Sequence, residues 1–376
     1  MLPLKIAIVN HDFSLGGVQR VAVEIASGLA DVEDYHVCLI SFSGIENFFY
    51  KVNDKCEKKV NIRKRKFSEN LRFRLALKCR REVKISRIYR SQLRGLVSIL
   101  AEGGFECVII CQSDLTALIP KVKAKLPKIK VIAWQHNDYE AYVTKYEYAR
   151  LFISEYITGL EAADWVVCLT KNYLKKFRQH NKKTICIYNP VTLKADVISK
   201  LDSFNIIYVG RLAIEHKGLD FLLEIIDLAP QCWNWILAGD GEDREELEIL
   251  ISEKKLMEKV QLVGALPRAD LVNHFVSGSV FVSPSRWEGM SLVVIEALNF
   301  GLPIVAFDIP GTREALDDGR CGILVEKYDT FLFYQAVEKL MNDYKMRLHY
   351  QRLSLDRSQH FSLENILPDW RGIIEG

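Results

Sequence analysis

Residues 280–307 read VFVSPSRWEGMSLVVIEALNFGLPIVAF, and the fold turns on this stretch. Val280–Ser283 is a short apolar run of strand length. The glycine-bearing turn through Glu288 and Gly289 opens a helix over Leu292–Asn299. Gly301 and Pro303 then punctuate the chain before a second apolar run, Ile304–Phe307. Strand, helix and strand at this spacing predict a parallel sheet covered by helices. Gly289–Phe307 is also the most membrane-like run of the chain. Glu296, Gly301 and Pro303 interrupt it, so no transmembrane helix is expected.

The alternation extends in both directions. Downstream, Gly322–Val325 reads as a strand and Thr330–Asp343 as a helix. Upstream, strands at Ile206–Val209, Trp235–Ala238 and Val260–Val263 alternate with helices near Phe221–Leu228, Arg244–Lys254 and Leu271–Val276. An earlier series of the same kind ends at Asn189-Pro190. Its strands are Ile6–Val9, Val37–Ile40, Cys107–Cys111, Val131–Trp134, Val166–Leu169 and Ile185–Tyr188. Its helices follow Gly16-Gly17 and lie near Leu93–Leu100, Tyr146–Ala163 and Asn172–His180. No sequence repeat links the two series. The expected fold class is α/β, with two facing Rossmann-like domains and an interdomain cleft. Residues 1–189 form the first and 190–357 the second. A closing helix, Glu364–Glu375 within about 358–376, returns to the first domain.

A chain of 376 residues exceeds what one hydrophobic core usually serves. With 49% apolar and 26% charged residues, whole-chain disorder is excluded. The nine cysteines form no CxxC pair and no zinc-spaced cluster, and Cys38, Cys107, Cys111, Cys168 and Cys186 sit in apolar runs. With no sequon and a first strand beginning near Ile6, the sequence predicts a reducing, cytoplasmic setting. The net charge of +3 conceals a strong asymmetry. Residues 51–94 hold seventeen Lys/Arg against Asp54, Glu57, Glu69 and Glu82, a local +13, which leaves −10 for the rest.

Several chemistries lack their signatures. There is no Walker A sequence, no G-x-G-x-x-G after Ile6–Val9, no G-x-S-x-G elbow and no D-x-D metal site. What remains is an ordered set, each member at the carboxyl end of an expected strand. Gly16-Gly17 follows the first strand, and Trp134-Gln135-His136-Asn137 follows a middle strand of the first half. Gly210-Arg211, then His216-Lys217-Gly218, follow the first strand of the second half, and Gly239-Asp240-Gly241 its second. Glu288-Gly289-Met290-Ser291-Leu292, then Glu296, open a helix. Ligands of parallel sheets bind at these ends. Arg211 and Lys217 supply a fork and a point charge for a pyrophosphate. The Gly289–Leu292 turn ends in a helix N-terminus, which favours a phosphate. Glu288 and Glu296 can accept hydrogen bonds from sugar hydroxyls on either side of a diphosphate. Glycine at 16 and 17 lets backbone come close to the phosphates.

This set resembles the retaining glycosyltransferases of family 4, of GT-B fold and surface-polysaccharide or lipid-linked glycan type. The resemblance covers nearly the whole chain and is strongest over 204–326, where Arg211-x5-Lys217 and Glu288-x7-Glu296 match two donor motifs in order. It implies a nucleotide-diphosphate sugar donor, UDP-linked, held mainly by the second half. Arg211 and Lys217 would hold the diphosphate and neutralise the leaving group. Glu288 would contact the transferred sugar, Glu296 the ribose, and Met290, Ser291 and Leu292 would offer backbone N–H groups. Gly16, Gly17 and Gly239 would line the donor, and His136 would sit beside the transferring sugar. No cofactor and no metal are implied. The acceptor would be a saccharide or a polyisoprenyl-diphosphate-linked glycan.

Each element also has a plain structural use. Glu288 and Glu296 can be a helix start and a surface charge, Arg211 and Lys217 an ordinary basic surface, the glycines tight turns, and His136 a structural histidine. Other functions on such a fold are a sugar-nucleotide epimerase, or a catalytically silent partner subunit that would have lost Glu288, Arg211 or Lys217. The basic stretch has two readings. From Lys84 to Leu100, Ile85, Ile88, Tyr89, Leu93, Leu96, Val97 and Leu100 gather on one helix side, with Lys84, Arg87, Arg90 and Arg94 on the other. That face is either merely solvated, or Arg87, Arg90 and Arg94 meet an anionic membrane surface and a lipid-linked acceptor. The latter would place the protein at the inner face of the cell membrane. Nucleic acid is not expected, since aromatics are sparse there.

Overall fold

The computed structural model of the chain describes residues 3–79, 82–145 and 151–376. Two compact units emerge, Met1–Pro190 with Leu363–Gly376, and Val191–Ser362. The first is built on seven parallel strands: β1 (Leu4–Asn10), β2 (Tyr35–Ser41), β3 (Glu57–Val60), β4 (Cys107–Cys111), β5 (Lys130–Trp134), β6 (Trp165–Cys168) and β7 (Thr184–Cys186). They run in the order β3-β2-β1-β4-β5-β6-β7, so the strand order reverses between β1 and β4. Ile6 pairs with Val37 on one side and with Cys107 on the other. The central strands are buried on both faces, which is why they read as continuous apolar runs.

The second unit repeats the plan with six strands: β8 (Asn205–Val209), β9 (Asn234–Ala238), β10 (Val260–Gly264), β11 (Val280–Ser283), β12 (Ile304–Phe307) and β13 (Ile323–Val325). Their order is β10-β9-β8-β11-β12-β13, with the reversal between β8 and β11. The α/β architecture of two parallel-sheet Rossmann-like units is therefore the one expected. Residues 280–307 form β11, the helix Leu292–Asn299 and β12, with Phe281 paired to Ile304.

The final helix, Leu363–Glu375, packs on the first unit. Trp370 is fully buried with its ring centroid 4.7 Å from that of Trp134. Lys130 Nζ donates to the carbonyl oxygen of Ile374 at 2.8 Å, covering the last turn. On the opposing helix, Gly17–Ala30, a methyl group at Gly28 would lie 2.8 Å from Leu367, so the two helices approach closely there.

Several features differ from expectation. β3 was not anticipated, being a polar four-residue edge strand. Nor were the helices Phe67–Cys79 and Tyr344–Ser358. The amphipathic helix expected over Lys84–Leu100 is two helices, Ile85–Ile88 and Arg90–Gly103. Tyr89 separates them at φ −92° and ψ 16°, with its hydroxyl engaged on buried Asp114. Of the helix expected over Tyr146–Ala163, residues 146–150 lie outside the described residues, and Ile153–Ala162 is helical. Helix Tyr344–Ser358 and the turn Gln359–Phe361 stay with the second unit, so its limit is Ser362 rather than 357. No described helix is long and apolar enough to cross a membrane.

Candidate active site

At the reversal between β8 and β11, the turns after the two strands meet. Lys217 ends the one-turn helix Ile214–Lys217, and Gly218 follows at φ 64°. A Cβ on Gly218 would lie 2.0 Å from the carbonyl oxygen of Pro284, so only glycine lets the turn after β8 rest on the turn after β11. That approach sets Lys217 Nζ 2.6 Å from Glu288 Oε1, with the two side chains only 14% and 11% exposed. Ser285 Oγ donates to the same oxygen at 2.9 Å. Burial pushes the Glu288 carboxyl up. The Lys217 ammonium, the His216 ring and the hydrogen bonds from Lys217 and Ser285 outweigh it and hold Glu288 below the usual carboxylate range.

His216 lies stacked on Trp287, centroids 4.8 Å apart, and its Nε2 is 3.1 Å from the Trp287 carbonyl oxygen. Burial lowers its pKa to about 4, so the ring is neutral at pH 7 and its Nε2–H donates to that carbonyl. Arg286 braces the loop from outside, donating to both Asp220 oxygens, with its guanidinium 4.0 Å from the centre of the Phe221 ring. Glu288 is thus fixed by its neighbours on both sides.

The other expected donor residues of this unit are placed differently from one another. Arg211 follows β8 but stands open, 60% exposed, with a Glu242 carboxylate oxygen 3.9 Å from its guanidinium. Met290 and Ser291 are buried beside Gly289, and Ser291 is the N-cap of helix Leu292–Asn299, with no side-chain cap hydrogen bond. Gly239 directly follows β9, donating its N–H to the Gly264 carbonyl oxygen at 2.8 Å. Glu296 stands apart, fully buried, and accepts the Thr192 hydroxyl at 2.6 Å.

In the first unit, Gly16 caps helix Gly17–Ala30, and its N–H donates to the Tyr50 hydroxyl at 3.2 Å. A methyl group at Gly17 would meet nothing within 4 Å. Gly17→Ala should therefore leave the melting temperature within a degree or two, as for a surface change of about 0.5 kcal/mol or less. If Gly17 meets a donor phosphate, calorimetric titration with UDP should show affinity lost in the same variant. His136 follows β5, and its ring packs against Trp134 at 4.3 Å. Burial lowers its pKa to about 3, so it acts as a neutral hydrogen-bonding group. Its Nε2 is buried without a hydrogen-bond partner among the described residues.

A pair that the sequence did not disclose sits at the reversal between β1 and β4. His11 Nε2 lies 2.5 Å from Asp114 Oδ2, and the Tyr89 hydroxyl donates to the same oxygen at 2.9 Å. Burial lowers the His11 pKa, but Asp114 more than offsets this, so the net shift is upward, while Asp114 is held below the usual carboxylate range. The two residues are far apart in sequence, and only the parallel pairing of β1 with β4 brings them together. Arg87, Arg90 and Arg94 are exposed on their two helices. Among the described residues, no group of three or more His, Cys, Asp or Glu could hold a metal ion.

Residues 203–343 match the family described as Glycosyl transferases group 1. Over 371 residues the chain is 28% identical to an uncharacterized glycosyltransferase of Haemophilus influenzae, covering 96% of this chain and 97% of that one. It is also 28% identical to the amylovoran biosynthesis glycosyltransferase AmsD of Erwinia amylovora, covering 96% of each. In three dimensions it resembles sucrose-phosphate synthase of Thermosynechococcus elongatus at TM-score 0.80 and 18% identity, covering 99% and 98% of the two chains. HepE of Anabaena, solved with UDP, superposes at TM-score 0.75 and 16% identity, covering 99% and 100%. The fold is GT-B, and the sequence similarities support glycosyltransferase activity.

Proposed function

We propose that the protein is a retaining, metal-independent glycosyltransferase. It moves a hexose or N-acetylhexosamine from a nucleotide-diphosphate sugar, UDP-linked, to a saccharide acceptor carried on a lipid, in surface polysaccharide or glycan biosynthesis. The observation that carries the reading is the Lys217–Glu288 pair at the strand-order reversal, inside the segment that matches the glycosyltransferase family. The UDP bound by HepE and the amylovoran role named for AmsD support the donor and the pathway class.

In this reading the acceptor hydroxyl oxygen bonds to the anomeric carbon on the face the diphosphate leaves. The bond from that carbon to the diphosphate oxygen breaks, and the electron pair departs with the nucleoside diphosphate. The hydroxyl proton passes to the departing phosphate oxygen. Arg211, Lys217 and the N–H groups of the Ser291-capped helix neutralise the charge that develops there. Glu288 orients the sugar hydroxyls, and neutral His136 hydrogen-bonds the sugar through Nε2. No enzymic nucleophile is needed, so positioning and leaving-group stabilisation supply the rate. Glu288, Arg211 and Lys217 are all present, which weighs against a silent subunit.

The test is incubation with radiolabelled nucleotide sugars, with and without lipid-linked acceptor, in the presence of EDTA. Label should move to acceptor from a UDP-sugar, with the anomeric configuration retained, and chelator should not reduce it. Activity abolished by EDTA and restored by Mn²⁺ or Mg²⁺ would contradict metal independence. Conversion of the donor without acceptor would favour the epimerase.

A further inference from the structure

Helix Phe67–Cys79 turns large apolar side chains to solvent. Ile62 is 86% exposed and Phe67 84%, while Leu71 and Leu75 are 47% and 52% exposed. Phe67, Leu71 and Leu75 recur every fourth residue, so they form one stripe along the helix. A surface helix of a globular protein normally turns such a stripe to the core. Here another side of the helix is already docked. Phe73 packs against the core of the first unit. Glu69 is buried, with Oε1 accepting the N–H and hydroxyl of Ser91 at 3.2 and 3.0 Å and Oε2 accepting the Lys66 N–H at 2.7 Å. The helix therefore cannot roll its apolar stripe inward without breaking these contacts.

The surroundings of the stripe are cationic. Arg63, Lys64 and Lys66 precede it and Arg74 and Lys78 lie along it, all exposed. At 100° per residue, Arg74 and Lys78 fall within a narrow arc that also contains Phe67, Leu71 and Leu75. The one acid of the helix, Glu69, is turned away and buried. Apolar side chains interleaved with long lysine and arginine side chains match an anionic lipid surface, with the apolar groups reaching the acyl boundary and the cations extending to the phosphates. A second copy of the chain is a poor occupant, because a self-complementary contact would oppose two sets of like charges.

We propose that Ile62, Phe67, Leu71 and Leu75 insert into the acyl boundary of an anionic bilayer, while Arg63, Lys64, Lys66, Arg74 and Lys78 engage its phosphates. The inference deepens the lipid-linked acceptor reading above but stands on this patch alone. It moves the centre of contact from Arg87, Arg90 and Arg94, whose two helices carry no exposed large apolar side chain among the described residues, to the helix before them. Insertion and charge attraction differ in their response to salt. Each cation near the surface strengthens partitioning about fivefold at low ionic strength, and screening removes that part. The apolar part survives salt.

The full chain is sedimented with vesicles of phosphatidylcholine and phosphatidylglycerol, or of phosphatidylcholine alone, across rising salt. Wild type should bind the anionic vesicles and keep a salt-resistant fraction. The triple variant Phe67→Ser/Leu71→Ser/Leu75→Ser, altered only at exposed positions, should lose at least tenfold in partitioning and become fully releasable by salt. Arg74→Glu/Lys78→Glu should lose binding at low salt. A Phe67→Trp variant should gain quenching by brominated lipid over wild type. UDP titration should be unchanged in all of them, so failure here is separable from failure of the donor reading. Partitioning of the serine variant equal to wild type, or no added quenching at position 67, overturns the proposal. So does a wild-type dimer in ultracentrifugation that the serine variant lacks, because a second copy would then cover the stripe.

Discussion

Lys217→Ala is expected to lower kcat/KM for sugar transfer by about 10²–10³-fold, the range seen when one preorganised charge-stabilising group is removed from a transfer site. The loss should fall mainly on kcat, because leaving-group charge is larger in the transition state than in the bound donor. The substitution also strips Glu288 of the ammonium 2.6 Å away and leaves a carboxylate in an enclosed place. Breaking a buried pair from one side costs about 3–5 kcal/mol of stability. A pH scan separates the two effects. Glu288 is held below the usual carboxylate range in the folded protein. It therefore adds stability above the ordinary carboxyl pKa, and that stability is lost as pH falls through the depressed value. Lys217→Ala should flatten this acid-side slope in thermal melts. Lys217→Ala with Glu288→Gln should recover stability but not activity. Recovery of both would make the pair a structural brace rather than donor machinery.

Lys217 and Glu288 were each legible as site residues because the evidence for each is local, but their direct pairing, across 71 residues, was not expected. A glycine turn after an apolar run, with a cation on one strand end and a carboxylate on another, is visible in the order of residues. The strands were legible for the same physical reason. Val280–Ser283 and Ile304–Phe307 are buried on both faces, so nothing polar interrupts them. Glu57–Val60 was not legible, because an edge strand can be polar and still pair through its backbone. Helix Tyr344–Ser358 was missed because its buried positions include Arg347, Ser354 and Ser358. The Arg347 guanidinium donates to the carbonyls of Leu201, Leu340 and Met341, a polar core that leaves no apolar period to read. His11 with Asp114 was invisible for a different reason. Nothing near either residue marks it, and their meeting depends on β1 lying beside β4. The break at Tyr89 belongs to that same pair, since its hydroxyl is spent on Asp114 rather than on solvent.

Trp370→Ala should destabilise the first unit by about 3–5 kcal/mol, the cost of emptying a large aromatic site in a core. Trp370 is fully buried, and Ile366, Ile373 and Ile374 share the buried side of its helix. Spacings of four, three and one along the chain place them on one stripe, which is what docks a terminal helix. The Trp370 and Trp134 rings meet edge to face, with ring planes 69° apart. Trp134 in turn packs on His136 at 4.3 Å, so the terminal helix buttresses the residue expected beside the transferring sugar. Each unit has its own hydrophobic core, with Trp134 and Trp370 in the first and Trp235 and Phe307 in the second. Scanning calorimetry should therefore resolve a transition that moves down in Trp370→Ala and another that stays. Trp370→Phe should move the first by less, since most of the ring volume is kept. UDP titration below the lowered transition should keep the affinity of wild type, because Arg211, Lys217 and Glu288 belong to the unit that does not change. Sugar transfer should fall nevertheless, through the loosened Trp134 and His136. If both transitions shift together, the two cores unfold as one and the helix stabilises more than the sheet it covers.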